Sequence, residues 1–161
     1  MKTLVQSLVI SRLDYGNALL AEAPDYIIKR LQRVQNMAAR VVTGLRKYDH
    51  ITEARYELHW LPVDKRIDFK ILLLTYKALN GLAPGYLSDL LVHYSQGRSL
   101  RPRELIQLVE PRTQRGYGER CFSVAAPKVW NKLPIELRNA PSVQSFKCQL
   151  KSHLFCKAHN C

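Results

Sequence analysis

Residues 71–79, Ile-Leu-Leu-Leu-Thr-Tyr-Lys-Ala-Leu, are apolar almost all the way round at helical spacing. They close a run that starts after Pro62 and stops at Asn80-Gly81, where a chain readily leaves a helix. A helix without a polar face must be surrounded by other elements. The spacing therefore predicts a central core helix over 63–79, packed by a second helix at 24–43. At 161 residues the chain fits one domain, long enough for a substantial core.

Residues 3–21 place Leu4, Val5, Leu8, Val9, Leu13, Leu19 and Leu20 near helical spacing, with Gly16 disturbing the end. Pro24 and Asp25 suit the first turn of the 24–43 helix, and Gly44 suits its left-handed close. Short helices are expected at 52–58, capped by Thr52, and at 84–91. Composition changes after His93: residues 95–120 hold five Gly or Pro and six arginines, with short strands expected only at 105–109 and 121–124. Helices at 127–132 and 142–155 come next, and the last six residues should fray. The expected fold is mainly α, a helical bundle with an irregular arginine-rich region able to form a hairpin, and a C-terminal helix. Its parts are 1–94, 95–124 and 125–161, within one compact unit.

Twenty-five Lys and Arg against thirteen Asp and Glu leave a net charge of +12, spread as +4 over 1–50, zero over 51–97 and +8 over 98–161. A neutral centre between basic ends fits surfaces that meet polyanions. The early run 4–10 is too short, and too soon interrupted by Arg12 and Asp14, for a signal peptide or a membrane span. An intracellular setting, nuclear or cytoplasmic, with the four cysteines as thiols, is the expectation.

The 24–43 helix carries the sharpest functional signal. Ile27, Leu31, Val34, Ala38, Val41 and Leu45 fall on one face, and Lys29, Arg33, Asn36, Arg40, Thr43 and Lys47 on the other. No Asp or Glu occurs from Tyr26 to Tyr48. A single-sign stripe matches a run of phosphates, whereas a solvated face usually mixes signs for i,i+4 pairing; both readings stay open.

A second candidate is the set Arg98, Arg101, Arg103, Arg112, Arg115 and Arg120, with Tyr94 and Tyr117 nearby. Arginine forks onto phosphate and stacks on bases, but Glu104, Glu110 and Glu119 offer intramolecular partners equally well. Arg66, Lys70 and Lys77 form a narrow strip that either meets template or reaches past apolar neighbours to solvent. Asp64 and Asp68 pair more readily with Lys65 and Arg66 than with a metal. Cys148 and Cys156 would lie about 12 Å apart on one continuous helix, too far to share a zinc ion. Trp60 and Trp130, each before a Leu-Pro pair, suit core anchors better than base-stacking platforms. No nucleophile elbow or phosphate loop occurs. No catalytic residue, metal or cofactor is therefore assigned.

The block His-Trp-Leu-Pro-Val-Asp-Lys-Arg-Ile-Asp-Phe-Lys at 59–70, running on to Leu91, resembles the region beyond the catalytic core in the polyprotein of non-LTR (LINE-type, jockey-like) retrotransposons. Ser-Arg-Leu-Asp-Tyr at 11–15, Arg-Leu-Gln-Arg-Val-Gln-Asn at 30–36, Phe-Ser-Val-Ala-Ala-Pro-Lys-Val-Trp-Asn-Lys-Leu-Pro at 122–134 and Ser-Phe-Lys-Cys-Gln-Leu at 145–150 extend the likeness in order over about nine tenths of the chain. The resemblance implies the thumb and post-thumb segment of a reverse transcriptase. It implies no polymerase activity, since the family's chemistry needs palm carboxylates on two metal ions and this chain holds no Asp-Asp pair. Met1 falls within the family's reading frame, so the resemblance implies a truncated fragment that lacks the palm. The expected partner is RNA or an RNA–DNA duplex, bound without sequence preference. A structural or protein-interaction module, completed by a missing palm, and an element remnant without a selected role are the alternatives. No membrane or small-molecule partner is expected.

Overall fold

The computed structural model describes residues 1–94, 107–113 and 118–159. It is mainly helical, as the spacing predicts. Contacts divide the chain into two compact units: residues 1–69 with 151–161, and residues 70–150. These limits cut through the two long helices Val63–Leu79 and Val143–His159 instead of falling at 94/95 and 124/125.

In the first unit, α1 (Lys2–Val5) passes through a π-helical stretch, Gln6–Ile10, into α2 (Ser11–Asp14). Gly16 takes the left-handed conformation at φ 62° and starts a 3₁₀ turn, Asn17–Leu20, so the chain breaks where its glycine predicts. Helix α3 (Asp25–Thr43) opens behind Pro24, with Asp25 in its first turn, and closes on Gly44 at φ 73°. Helix α4 (Ile51–Glu57) begins one residue earlier than expected, and its cap position is His50, not Thr52. Val5, Ile10, Ala38, Ala39 and Trp60 form the buried cluster here, with Val9, Leu13, Val42, Ile51 and Leu58 packed against it. Trp60, 3 % exposed, is a core anchor.

Helix α5 (Val63–Leu79) has the predicted limits, and its residues 63–69 belong to the first unit. In the second unit Ile71, Leu72, Thr75, Tyr76 and Ala78 are buried and no residue from 71 to 79 is exposed, as an all-round apolar sequence requires. Gly81, at φ 67°, lets the chain turn away. Helix α6 (Gly85–Ser88) is shorter than the expected 84–91. Helix α7 (Phe122–Trp130) corrects two expectations: residues 121–124 are not a strand, and Pro127 lies inside the helix instead of opening it. Burial explains this, because Val124, Ala125, Ala126, Pro127 and Trp130 are all buried, which outweighs the hydrogen bond that proline cannot donate.

A short helix α8 (Ile135–Arg138) leads to α9 (Val143–His159). Within the second unit Phe146 stacks on Tyr76 at 4.3 Å between ring centroids and lies 6.0 Å from Trp130. The Tyr76 hydroxyl donates to the Ala140 carbonyl at 2.6 Å. The tail expected to fray stays helical through His159.

Around the arginine-rich region, His93 and Leu108 form an antiparallel bridge, with Tyr94 N donating to Gln107 O and Val109 N to Val92 O, both at 2.9 Å. Residues 95–106, including the first part of the expected 105–109 strand, and 114–117 lie outside the described residues. No described helix is long and apolar enough to cross a membrane.

Candidate nucleic-acid interface

Helix α3 is attached by polar side chains that fit the backbone of the next motif. Gln32 Oε1 accepts from Val63 N at 2.9 Å, which satisfies a donor at the start of α5, and Gln35 Nε2 donates to Leu61 O at 2.8 Å. Gln32 Nε2 in turn donates to Gln35 Oε1 and Asn36 Oδ1, each at 2.8 Å. Gln35 is fully buried beside Ala38 and Ala39.

This anchoring rotates the helix. The buried face centres on Ile28, Leu31, Gln35, Ala38, Ala39 and Val42, turned by roughly 70° from the expected apolar face at 3.6 residues per turn. Val34 and Val41, expected in the core, are 38 % and 58 % exposed. The cause lies outside the helix: Val63 N and Leu61 O, 31 and 26 residues away, take Gln32 and Gln35 as amide partners, and the small Ala38 and Ala39 are buried on the same side.

The rotation leaves Lys29, Arg30 and Arg33 exposed on the outer face, and Lys47 is exposed in the following loop. Arg30 is an addition to the site residues that periodicity singles out. Its signal in the sequence is its place beside Lys29 in an acid-free run, masked by an apolar face set too close to it. Arg40 is half-buried and holds that loop: its Nε donates to Arg46 O at 3.2 Å and its Nη2 to Asp49 O at 3.3 Å. Asp49 Oδ2 accepts from Arg46 N at 2.7 Å. Asn36 and Thr43, expected between the cations as phosphate donors, are engaged locally, Asn36 with Gln32 and Thr43 Oγ1 with Ala39 O at 2.9 Å. The Lys47 ammonium sits 5.4 Å from the centroid of the Tyr48 ring. Tyr26 and Met37 share the outer face, 64 % and 56 % exposed.

Of the arginine-rich set, Arg98, Arg101, Arg103 and Arg115 lie outside the described residues, as do Glu104 and Tyr117. Arg112 is exposed and Arg120 is half-buried at the end of the 3₁₀ turn Gly118–Arg120, in the second unit. Glu110, one of the carboxylates that could partner these arginines, accepts from Asn131 Nδ2 at 3.0 Å.

Arg66 does not belong to an outward strip. Its Nη1 contacts both oxygens of Asp14 at 2.8 Å, and its Nε donates to Leu61 O at 2.9 Å. Lys65 bridges Asp64 and Asp68 at 3.0 and 3.6 Å, the local ion pairing expected of those carboxylates. Burial raises the Asp68 carboxyl above its ordinary range, against the pull of Lys65. Burial lowers Lys65 too, but Asp64 and Asp68 outweigh it and the ammonium is raised overall. No group of three or more His, Cys, Asp or Glu able to hold a metal occurs among the described residues. Cys121, Cys148 and Cys156 are exposed and form no disulfide.

Comparison of the chain with family models, curated proteins and solved structures gives no significant match.

Proposed function

We propose that this chain is a post-palm segment of a non-LTR retrotransposon reverse transcriptase, without polymerase activity of its own, that grips RNA or an RNA–DNA duplex in the nucleus or cytoplasm. The observation that carries the reading is the outer face of α3, where no acidic residue follows Asp25. Lys29, Arg30 and Arg33 stand in water there, on a helix anchored by Gln32 and Gln35, with Lys47 in the loop that Arg40 braces. Cations on a fixed helix track a phosphate backbone and release its counterions, and nothing in the face reads base edges. Arg112 and Arg120, with the arginines at 98, 101, 103 and 115, supply a second contact in this reading.

Binding of a labelled RNA–DNA duplex should weaken with salt at a log-log slope of about −3 to −4, the value for about four phosphate contacts. Changing Lys29 and Arg33 together to Glu should cut affinity at least tenfold and flatten the slope while the helical spectrum is kept. A double variant with parental affinity and slope would remove α3 from the site.

A second reading, a protein-interaction module, is favoured by Tyr26, Met37 and Val41 on the same face. It predicts no duplex binding, together with loss of partner binding when Met37 and Val41 are changed to Ser.

A further inference from the structure

Helix α4 closes through His59, not through a glycine. His59 N donates to Tyr56 O and Trp60 N to Arg55 O, both at 2.9 Å, and His59 takes the left-handed conformation at φ 53°. The longer helices α3 and α5 exit instead through glycine, at residues 44 and 81, at φ 73° and 67°. A side chain in this conformation meets a steric penalty that glycine avoids. The imidazole is nonetheless exposed, with its ring 5.6 Å from that of Phe155. Phe155 lies 5.3 Å from Tyr56, which is 48 % exposed.

Beside these packed rings lies an open groove of about 420 Å³, lined by Tyr56, His59, Lys151, Ser152, Phe155 and Cys156, all within the first unit. Among the described residues three aromatic rings line it, Lys151 is its one ammonium, and no carboxylate borders it. Tyr56 also lines a second groove that carries Glu53 and Glu57. Phosphate is repelled on that side and attracted toward Lys151.

A planar ring joined to a phosphate fits this distribution. Paired bases inside a duplex present only their edges, so the ligand must offer an unstacked base. We propose that this groove is a binding site for single-stranded nucleic acid, in which an unpaired base stacks on Tyr56 and His59 and its phosphate meets Lys151. The proposal rests on the reading of the chain as a nucleic-acid binder, and it adds a single-strand site to the duplex-binding face of α3.

The test is fluorescence anisotropy of the full chain with a labelled oligoribonucleotide of about twelve residues, within the usual range of single-strand sites, and in parallel with an RNA–DNA duplex. Tyr56→Ala should weaken single-strand binding roughly tenfold, the order expected for one stacking face, and leave duplex affinity unchanged. His59→Gly relieves the left-handed backbone, so its melting temperature should hold or rise while single-strand affinity falls. A merely structural histidine would not give that opposite pair of changes. Parental single-strand affinity in either variant overturns the site. Duplex binding by the parent chain without single-strand binding overturns the groove alone. Failure to bind either ligand removes the nucleic-acid reading and the groove with it.

Discussion

Asp14 and Arg66, 52 residues apart, are joined by Nη1 of the guanidinium donating to both carboxylate oxygens at 2.8 Å. The same guanidinium holds Leu61 O, which Gln35 also holds. Residues from Ser-Arg-Leu-Asp-Tyr, Arg-Leu-Gln-Arg-Val-Gln-Asn and His-Trp-Leu-Pro-Val-Asp-Lys-Arg therefore meet around one carbonyl. Three of the blocks behind the retrotransposon resemblance are fastened to each other within the first unit.

Arg66 should accordingly matter more than its partner. Its side chain is 14 % exposed against 44 % for Asp14, and it makes the additional carbonyl bond. Arg66→Ala is expected to cost about 2–3 kcal/mol, and Asp14→Asn about 1 kcal/mol after solvent screening. Urea denaturation of both single variants and the double variant, read as a cycle, checks the order.

The rotated face of α3 separates Gln32 from Val41. Gln32→Ala removes the acceptor from Val63 N and should cost about 1 kcal/mol, the usual value of a helix cap. Val41→Lys, at a position 58 % exposed, should change stability by no more than about 0.5 kcal/mol. Thermal unfolding would contradict the rotation if Val41→Lys were the more damaging of the two.

Acid should weaken the first unit through two of its histidines. Burial lowers His153 and His159 below the ordinary histidine value of 6.5; Lys157 adds to this at His153 and Arg55 at His159, against a hydrogen bond to the Trp60 backbone that raises His159. As pH falls below 6.5 the unfolded chain takes up these protons first, so stability is lost through the window between 6.5 and the lower folded values. Midpoints of urea unfolding measured from pH 7.5 to 5 should fall, and His153→Gln with His159→Gln should flatten the fall.

In the second unit Asn131 acts as a strand edge for one residue. Its Oδ1 accepts from Leu108 N at 3.0 Å and its Nδ2 donates to Leu108 O at 2.9 Å, which fixes a residue only 2 % exposed. Asn131→Ala leaves both backbone groups without these partners and should cost about 1–3 kcal/mol. Faster amide exchange at Leu108, with little change at Leu72, is the expected signature.

The helix limits at Pro24 and Gly44, and the stretch from Val63 to Gly81, were legible because each is set within one or two turns: proline fixes φ at an entrance, and glycine takes a left-handed exit without steric cost. The burial of residues 71–79 was legible too, since an all-round apolar helix has only one kind of environment. The orientation of α3 was not. Periodicity counts apolar residues and cannot know that Leu61 O and Val63 N need partners, so it placed Val41 on the apolar face and assigned Gln35 to neither face. Arg40 and Arg66 look alike among the cations of the sequence, yet one braces a loop and the other closes an ion pair 52 residues away. Tyr56, His59 and Phe155 become a groove only through the approach of chain segments nearly a hundred residues apart. Local chemistry determined where this chain bends and which helix it must bury. Tertiary packing decided which polar groups remain free to meet a ligand, because a long-range hydrogen bond leaves no trace in the spacing of neighbours.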